Sequence, residues 1–383
     1  MWRFDQMATN VNVRVDNPSE SGMEHYVGLE HLDADSLKIR RWGTPGDVEA
    51  TKLMFKKGDI IFGRRRAYQR KLGVAEFDGI CSAHAMVLRA KPEVVLPEFL
   101  PFFMQSDLFM TRAVEISVGS LSPTINWKTM AAQEFALPPM AEQVSIVEIL
   151  QTSRSACETQ SEALTRLQAL RRSAIDDLLA LPEDGRGVRL EKMVTMQNGR
   201  PFPGDQYAEQ GIKLLRPGNL AASGYLLWAN EKSVCLDPTW ETAAADFVIQ
   251  SGDVVINLTA QSLEDGFMGR ACLARERDKS LLNQRIGRFR CNEDVLLPEY
   301  LFRCLQTSRF RQHAHANCEG SKVKHMFWQH LAKYEIAVPD ISIQNDVIRQ
   351  CAEIDQAIEE LTSRLASSRR LLAMFTNQSA GAV

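Results

Sequence analysis

Residues 97–100 of this chain are Pro-Glu-Phe-Leu, and residues 298–301 are Pro-Glu-Tyr-Leu. The same separation of 201 residues relates six further pairs: Gln105 and Gln306, Phe109 and Phe310, Gly119-Ser120 and Gly320-Ser321, Trp127 and Trp328, Pro138 and Pro339, and Gln143 and Gln344. A period this long excludes a solenoid, because each copy is as large as a domain. The sequence therefore predicts a tandem duplication, seen as a pseudo-twofold internal repeat.

A second pair of matching segments lies upstream of the first. Residues 57–61, Lys-Gly-Asp-Ile-Ile, correspond to residues 251–255, Ser-Gly-Asp-Val-Val, at a separation of 194 residues. The second copy therefore has about seven additional residues between this segment and Pro-Glu-Tyr-Leu. Insertions between fixed anchors usually mark variable surface loops. The two copies are thus expected to differ in a loop.

The composition is that of an ordinary globular protein. The chain has 383 residues, of which 45% are hydrophobic and 24% charged, and its formal net charge is −3. This length allows two or three domains, and the duplication selects two. The net charge excludes a protein covered with positive charge, but a local basic surface can still bind a polyanion.

The sequence also predicts a cytoplasmic location without membrane contact. It has no apolar run of about 18 residues, and residues 1–10 lack the apolar core of a signal peptide. The eight cysteines occur singly, without a Cys-x-x-Cys pair or zinc-finger spacing. We therefore expect free thiols in a reducing compartment.

Each copy begins with a module of mixed α and β structure, so the predicted fold class is α+β (mixed α/β). Short apolar segments bounded by glycine or charged residues favour strands. The predicted strands are residues 27–29, 59–62, 72–76 and 85–88 in the first module, and 211–216, 253–258, 268–274 and 286–289 in the second. The proline-initiated segments 97–114 and 298–313 are predicted to be helices.

A long helix is predicted after each module. Apolar or small residues recur at alternating intervals of three and four, as in a coiled-coil seam with polar interruptions. The two seams are Ile146, Leu150, Ser153, Cys157, Gln160, Leu164, Leu167, Ala174 and Leu178, and Val347, Cys351, Ile354, Ile358, Leu361, Leu365, Leu372 and Phe375. The narrow stripes favour two antiparallel coiled-coil helices that join the modules; the alternative is that each helix packs only on its own module.

Proline and two glycines in residues 181–187, Leu-Pro-Glu-Asp-Gly-Arg-Gly, end the first helix and allow the chain to reverse. The predicted divisions are a module at residues 1–140, a helix at 141–182, a module at 183–339 and a helix at 340–383. About 30 helical residues at about 1.5 Å each give an arm of roughly 45 Å, or about 13 base pairs of duplex DNA. Such an arm would hold two modules more than one turn of duplex apart.

The motif search indicates no catalytic site and no metal site. The sequence has no phosphate-binding loop, no Gly-x-Ser-x-Gly elbow, no His-Glu-x-x-His and no Asn/Asp-Pro-Pro-aromatic motif of an amino-methyltransferase. His313 and His315 are two residues apart and so lie on different faces of a helix. The sequence therefore predicts a protein that is not an enzyme by itself and needs no cofactor of its own.

Positive charge is concentrated between Lys38 and Lys71, where eleven basic residues face three acidic ones. The centre of this stretch lies between two predicted strands. Arginine can bind phosphates or guanine edges, and tyrosine and glutamine add stacking and base-edge hydrogen bonds. The alternative is a solvated run of charge. The candidate DNA-binding residues are Arg64, Arg65, Arg66, Tyr68, Gln69, Arg70 and Lys71.

The corresponding stretch of the second copy, residues 257–266, has hydrogen-bonding side chains and fewer positive charges. Its candidate DNA-binding residues are Thr259, Gln261 and Ser262. An equivalent position with different chemistry suggests that the two modules recognise different targets.

A Gly-Ser turn in each copy is a second candidate surface. Small, hydroxylated residues with accessible backbone N–H groups let a chain approach phosphates closely, although most such turns have no such role. The candidates are Ser120, Ser122 and Thr124 in the first copy, and Ser321, Lys322, Lys324 and His325 in the second. Trp127 and Trp328 follow these turns; they could stack on bases, but anchoring in the core is the favoured interpretation.

The ordered set of these features resembles the specificity subunit of type I restriction-modification enzymes. The set comprises Lys-Gly-Asp-Ile-Ile, the basic loop, the Pro-Glu-Phe-Leu helix, the Gly-Ser turn, Pro-Pro-Met-Ala-Glu-Gln at residues 138–143 and the long helix. The resemblance covers essentially the whole chain, twice. The second copy departs from the pattern at residues 339–344, where the second proline and the glutamate are lost.

The resemblance implies a non-catalytic subunit with two tandem target-recognition domains, each of which reads one half of a split sequence in double-stranded DNA. It also implies two helices that set the gap and dock two adenine-N6 methyltransferase (M) subunits. Restriction and translocation (R) subunits can join the assembly. S-adenosylmethionine, ATP and Mg would belong to these partner subunits.

Two alternative functions remain open from the sequence. One is a coiled-coil scaffold whose modules bind protein and never contact DNA, which the slightly negative net charge favours. The other is a specificity subunit of a related system, such as a two-subunit type II enzyme or a phage-defence methylation complex.

Overall fold

The computed structural model describes residues 1–183, 185–229 and 233–381, so Asp184 of the predicted break lies outside the described residues. The chain forms two compact units, Met1–Glu162 with Thr362–Val383, and Ala163–Leu361. Each unit contains one module and a segment of each of two long helices. None of the described helices is long and apolar enough to cross a membrane.

The module of the first unit has ten short strands and four short helices. The strands are β1 (Trp2–Arg3), β2 (Ala8–Val11), β3 (Arg14–Val15), β4 (Tyr26–Val27), β5 (Lys52–Phe55), β6 (Ile60–Gly63), β7 (Leu72–Val74), β8 (Gly79–Ser82), β9 (Ala85–Ala90) and β10 (Glu134–Phe135). The helices are α1 (Phe4–Met7), α2 (Phe99–Gln105), α3 (Asp107–Glu115) and α4 (Trp127–Ala131). The long helix α5 (Met140–Leu178) follows.

The module of the second unit repeats this order with local differences. Its strands are β11 (Val188–Arg189), β12 (Val194–Asn198), β13 (Ile212–Leu215), β14 (Cys235–Leu236), β15 (Val248–Ile249), β16 (Val254–Asn257), β17 (Thr259–Ala260), β18 (Ala271–Leu273), β19 (Ser280–Leu282), β20 (Ile286–Cys291), β21 (Lys324–His325) and β22 (Glu335–Ile336). Its helices are α6 (Trp240–Ala243), α7 (Pro298–Cys304), α8 (Ser308–Asn317) and α9 (Trp328–Leu331), followed by the long α10 (Ile341–Gly381). Each of the eight predicted strands overlaps an observed one, and the α+β fold class is confirmed.

The main sheet has the same order in both modules. It is β2-β9-β6-β7 in the first and β12-β20-β16-β18 in the second, with antiparallel neighbours throughout. A second sheet has the order β3-β5-β8-β4 in the first module and β14-β13-β19-β15 in the second. Three of its strands are common to both modules, but the fourth strand, β3 or β14, lies at opposite edges of the sheet. The duplication is therefore structural, and the second sheet is where the modules diverge.

The Gly-Asp pair repeated in the sequence has a structural role. Asp59 accepts hydrogen bonds from Lys56 N at 2.8 Å and Arg89 Nε at 2.7 Å. Asp253 accepts the equivalent bonds from Gln250 N at 2.8 Å and Arg290 Nη1 at 3.2 Å, and a further one from the buried Arg288. The glycine before each aspartate has a φ of +91° or +87°, a region that favours glycine. Each pair therefore fixes the turn into β6 or β16.

The predicted helices 97–114 and 298–313 were wrong in one respect, because each is two helices. Ser106 and Thr307 have extended backbones, and their hydroxyls accept hydrogen bonds from Phe109 N at 3.3 Å and Phe310 N at 3.1 Å. A hydroxyl at this position satisfies an otherwise unpaired N–H at the start of a helix. Both residues thus begin a new helix, at equivalent positions of the two copies.

The predicted seams lie on the less exposed faces of the long helices, with one exception. Leu150, Cys157, Val347 and Cys351 are buried, but the Phe375 side chain is 44% exposed. Thr376, one residue on, is buried instead and donates to Leu372 O. The prediction for Phe375 was wrong because the buried face rotates by one position at this end of the helix.

Candidate nucleic-acid interface

Two segments that the sequence singled out separately are in contact in the first module. They are loop 1 (residues 64–71, between β6 and β7) and Gly-Ser turn 1 (residues 119–124). Arg65 forms an antiparallel bridge with Thr124, and Arg66 N donates to Pro123 O at 2.7 Å. Ile125 N donates to Arg64 O at 3.0 Å. The tertiary structure therefore joins two candidate surfaces into one.

The hydroxyl of Ser122 holds two arginines side by side. Arg65 Nη2 donates to Ser122 Oγ at 3.1 Å, and Arg66 Nε donates to the same oxygen at 3.2 Å. Arg66 is exposed and Arg65 is partly exposed, so N–H groups of both guanidiniums remain accessible to a ligand. Two adjacent guanidiniums are suited to phosphate oxygens or to the O6 and N7 atoms of guanine.

Loop 1 has an uncommon backbone that presents its tip. Arg66 and Arg70 have φ values of 58° and 53°, in the left-handed region that non-glycine residues rarely adopt. Between them lies a short 3-10 turn, Ala67–Gln69, anchored by the buried Ala67. The side chain of Tyr68 is 54% exposed at this turn, which leaves one face of its ring available for stacking.

The other basic residues of loop 1 are engaged within the protein. Arg70 pairs with Asp35 and with Asp107 at 3.0 Å, and Lys71 Nζ donates to Leu29 O at 2.6 Å. Arg64 Nη2 donates to Ala83 O at 3.0 Å. These three residues therefore hold the base of the loop, whereas Arg65, Arg66 and Tyr68 lie at its surface; Gln69 is partly exposed between them.

The second module has the same assembly with a longer loop. Loop 2 (residues 258–270, between β16 and β18) has thirteen residues, whereas loop 1 has eight. Most of the inserted residues therefore lie in this loop. Thr259 pairs with His325 and Ala260 with Lys324, which brings loop 2 against Gly-Ser turn 2 (residues 320–325). Thr259 and His325 correspond in position to Arg65 and Thr124.

The side chains at this second surface are mainly neutral and polar. Gln261 and Ser262 are exposed and Thr259 is partly exposed, while acidic Glu264 and Asp265 follow in the same loop. Gly-Ser turn 2 adds exposed Ser321, Lys322 and His325 and partly exposed Lys324. Two modules of one architecture thus present different chemistry.

Arg270 holds loop 2 rather than facing a ligand. Its guanidinium donates to Gly266 O at 3.0 Å, Asp265 O at 3.2 Å and Leu220 O at 3.0 Å, and it lies 4.0 Å from the centre of the Phe267 ring. Burial lowers the pKa of this guanidinium, an effect that Cys272 and Asp265 oppose. A guanidinium remains charged even so, and its carbonyl partners fix the shape of the longer loop.

A third segment, which sequence reasoning missed, borders each assembly. In connecting turn 1 (residues 82–85, which link β8 of one sheet to β9 of the other), His84 lies with its Nε2 3.3 Å from Arg65 Nη1. Burial lowers the pKa of His84, and the charges of Arg65, Arg64 and Lys52 lower it further, so the imidazole is neutral at neutral pH. Strand β8 was not predicted, so the turn that follows it was not recognised.

Other sequence candidates have structural positions. Trp127 packs on the core of the first module, with its ring 6.0 Å from that of Phe4, and Trp328 packs on the core of the second. The Nε2 atom of His313 lies 2.8 Å from His330 O. Within the part of the chain that the structure describes, no three His, Cys, Asp or Glu side chains could hold a metal ion, and all eight cysteines are free.

Repeated contacts fasten each module to the long-helix segments of its own unit. Asn377 Oδ1 accepts from Asp107 N at 2.7 Å, and Asp176 Oδ1, at the equivalent position of the first long helix, accepts from Ser308 N at 2.7 Å. Both bonds cap the first turn of the helix that follows the break. Two glutamates at equivalent positions, Glu158 and Glu359, pair with arginines of their modules. The internal repeat therefore extends to the way each module is held.

Gln143, the last residue of the Pro-Pro-Met-Ala-Glu-Gln motif, is buried and clamps the start of α5. Its Oε1 accepts from Leu96 N at 2.9 Å and its Nε2 donates to Pro138 O at 3.0 Å. Gln344 makes the equivalent bonds to Leu297 N at 3.0 Å and Pro339 O at 2.8 Å. The loss of the second proline and the glutamate in the second copy leaves this clamp in place.

Comparison with known proteins points to one family. The sequence profile described as "Type I restriction modification DNA specificity domain" matches residues 45–169, which include loop 1 and Gly-Ser turn 1. The type I restriction enzyme MjaVIII specificity subunit of Methanocaldococcus jannaschii is 23% identical over 298 residues, covering 73% of this chain and 68% of that protein. The EcoDI specificity subunit of Escherichia coli is 26% identical over 179 residues, or 45% of this chain and 39% of its own.

Solved structures share the fold. A chain from a study of complex assembly and conformational transition in the type I R-M system superposes with a TM-score of 0.62 at 18% identity, covering 99% of this chain and 96% of that chain. The S subunit of a type I restriction-modification system from M. genitalium gives a TM-score of 0.60 at 12% identity, covering 99% and 95%. The fold is therefore shared over nearly the whole length of all three chains.

Proposed function

We propose, since this chain belongs with the type I restriction-modification specificity subunits, that it recognises a bipartite target in duplex DNA, with one half-site for each module. The relatives are specificity subunits of type I restriction enzymes, which supports the prediction of a non-catalytic DNA-recognition component. The family implies DNA, methyltransferase subunits and restriction subunits as partners. Docking of two methyltransferase subunits, and supply of S-adenosylmethionine, ATP and Mg by the partners, form part of this proposal.

One observation carries the proposal: the same two-segment surface is built twice with different side chains. In the first module Arg65 and Arg66 are held on Ser122; in the second, Thr259 lies opposite His325. Direct base recognition depends on the donors and acceptors that the protein presents. Two equivalent frames with different donor and acceptor sets are what recognition of two different half-sites requires.

Phosphate and base contacts would be divided among these residues. Lys322 and Lys324, as point charges on a turn, and the small Ser120 and Ser321 suit contacts that position the module on the phosphate backbone. The remaining candidates of the two loops suit base edges: Arg65, Arg66, Tyr68 and Gln69 in loop 1, and Thr259, Gln261 and Ser262 in loop 2. Arg64, Arg70 and Lys71 would support loop 1 from behind.

The gap between half-sites would be set by the long helices. Asp107 and Ser308 are capped by Asn377 and Asp176 of the long helices, so each module is fastened to a defined turn of helix. At about 1.5 Å of rise per residue, the number of helical residues between the anchors would determine the length of the gap between the half-sites. This helical arm is the proposed ruler.

The test is methylation in a host that lacks adenine methylation. The chain is co-expressed with the methyltransferase encoded beside it, and N6-methyladenine is mapped across the genome by long-read sequencing. The expected result is a split motif with a fixed gap, absent when this chain is omitted. A stable purified complex that methylates no sequence and binds no duplex at any salt concentration would overturn the proposal in favour of a protein scaffold.

A further inference from the structure

Connecting turn 2 (residues 283–286, which link β19 of one sheet to β20 of the other) occupies the same place in the second module as connecting turn 1 in the first. Asn283 Oδ1 accepts from Arg285 N at 3.2 Å, and at the equivalent position of the first copy Ser82 Oγ accepts from His84 N at 3.2 Å. Such side-chain bonds two residues along the chain stabilise tight turns. Arg285 is therefore the structural counterpart of His84.

Both connecting turns are joined to their loops by backbone hydrogen bonds. Leu258 N donates to Arg285 O at 2.9 Å, and Arg65 N donates to His84 O at 3.3 Å. Arg285 consequently lies beside the residue that precedes Thr259, at the start of loop 2. It borders the surface that loop 2 forms with Gly-Ser turn 2.

The positive charge at this border comes from a different segment in each module. In the first module the guanidinium belongs to loop 1, at Arg65, and the turn carries the neutral His84. In the second module the residue corresponding to Arg65 is Thr259, and the turn carries Arg285. Arginine therefore reaches the junction of loop and turn from the loop in the first module, and from the turn in the second.

The side chain of Arg285 is available for a ligand. The residue is exposed, and within the described residues its guanidinium makes no hydrogen bond or ion pair. Arg200 pairs with Asn283 of this turn through its backbone, but its guanidinium lies over the rings of Phe202, Trp240 and Phe247. Lys322 and Lys324 of Gly-Ser turn 2 carry ammonium groups, which suit phosphates but do not have the planar fork that matches two acceptors at once. A guanidinium fits the adjacent O6 and N7 acceptors of guanine in the major groove.

We propose that Arg285 is a specificity-determining residue of the second half-site and reads a guanine there, in the place that Arg65 occupies in the first module. This inference rests on the proposed function of the chain as the DNA-recognition subunit. It adds a third segment, the connecting turn, to the two that form each interface.

The experiment uses the co-expressed complex and genome-wide methylation mapping. Arg285→Ala should leave the first half-site and the gap unchanged and make one position of the second half-site degenerate. Loss of one bidentate contact, worth about 1–3 kcal/mol, corresponds to roughly a 5- to 150-fold loss of discrimination at that position. Arg285→Lys keeps the charge and should lose the same discrimination, because an ammonium group is a single point charge. The matched control is Arg277→Ala, which removes an exposed arginine on the 3-10 turn before β19. This variant should retain the wild-type motif.

The outcomes are distinguishable from failure of the proposed function. If wild-type protein yields a split motif but Arg285→Ala yields the same motif, the inference is overturned and the function stands. A loss that is equal at all targets and accompanied by a weaker salt dependence would identify a phosphate contact and also overturn it. Absence of any split motif with the wild-type chain would instead remove the proposed function itself.

Discussion

Removal of the Asp355 carboxylate should destabilise the second unit severely. Asp355 lies on α10, is 7% exposed, and accepts from Arg303 Nη1 at 2.6 Å and Tyr225 Oη at 2.8 Å, as well as from Arg171. Arg171 belongs to α5 and Arg303 to α7, so one carboxylate joins the second module to segments of both long helices. Asp355→Ala would release all three partners at once.

The magnitude follows from the burial of Arg303. The Arg303 side chain is 3% exposed, and the carboxylate of Asp355 is its counter-charge. The Nε atom of Arg303 has no hydrogen-bond partner. Removal of one partner from a buried ion pair lowers the free energy of unfolding by about 3–5 kcal/mol, because the remaining charge stays buried without compensation. Replacing both residues by apolar ones, as in Asp355→Leu with Arg303→Met, should recover the part of this loss that comes from Arg303.

The assay is hydrogen–deuterium exchange through a urea series. It reports the free energy of opening for α7 in the second unit and, as an internal reference, for α2 in the first. Glu359→Ala is the matched control, since Glu359 is an exposed acid one turn along the same helix and its surface ion pair with Arg275 contributes about 0–1 kcal/mol. A loss for Asp355→Ala no greater than that of Glu359→Ala would refute the reasoning and show that water compensates Arg303.

Acid should produce the same weakness in the wild-type protein. Burial raises the pKa of Asp355, but the hydrogen bonds and charges of Arg171 and Arg303 outweigh it, and the net effect is a lowered pKa. A carboxyl whose pKa is lower in the folded state contributes stability that is fully present above its unfolded value of about 4. That contribution is lost as pH falls through the lowered folded pKa, so the free energy of opening of α7 should fall to the Asp355→Ala value only in strong acid.

Three further outcomes are expected. Arg65→Ala or Arg66→Ala should weaken recognition of one half-site only, by about 1–3 kcal/mol for each base contact. The measurement is binding to duplexes altered in either half. Equal weakening on unrelated duplexes would show that the two arginines contact phosphates instead. Ser122→Ala should relax the same half-site to a smaller extent, because it frees both guanidiniums without removing them, and methylation mapping would detect it as partial degeneracy. Deletion of one turn from both α5 and α10 should shorten the gap between half-sites while keeping both half-sites, and an unchanged gap would rule out the helical ruler.

The candidate site was only partly accessible to sequence reasoning. Loop 1 and Gly-Ser turn 1 could each be identified, since charge runs and glycine-rich turns are local signals. Their contact through Ser122 could not, because the pairing of Arg65 with Thr124 joins residues far apart in the chain. For the same reason the basic run from Lys38 to Lys71 did not show that Arg70 and Lys71 would be engaged by internal partners.

The sequence by itself determined the duplication, the fold class, the two long helices and the resemblance to type I specificity subunits. These follow from spacing and periodicity, which are properties of the linear chain, and they survive local errors such as the breaks at Ser106 and Thr307. Only the tertiary structure decided which residues lie together: the pairing of loop with Gly-Ser turn, the position of Arg285 on a connecting turn beside loop 2, and the contacts of Asp355 with the second module. The physical reason is that hydrogen bonds and ion pairs depend on distances in space, and the sheets bring together segments that the sequence keeps apart.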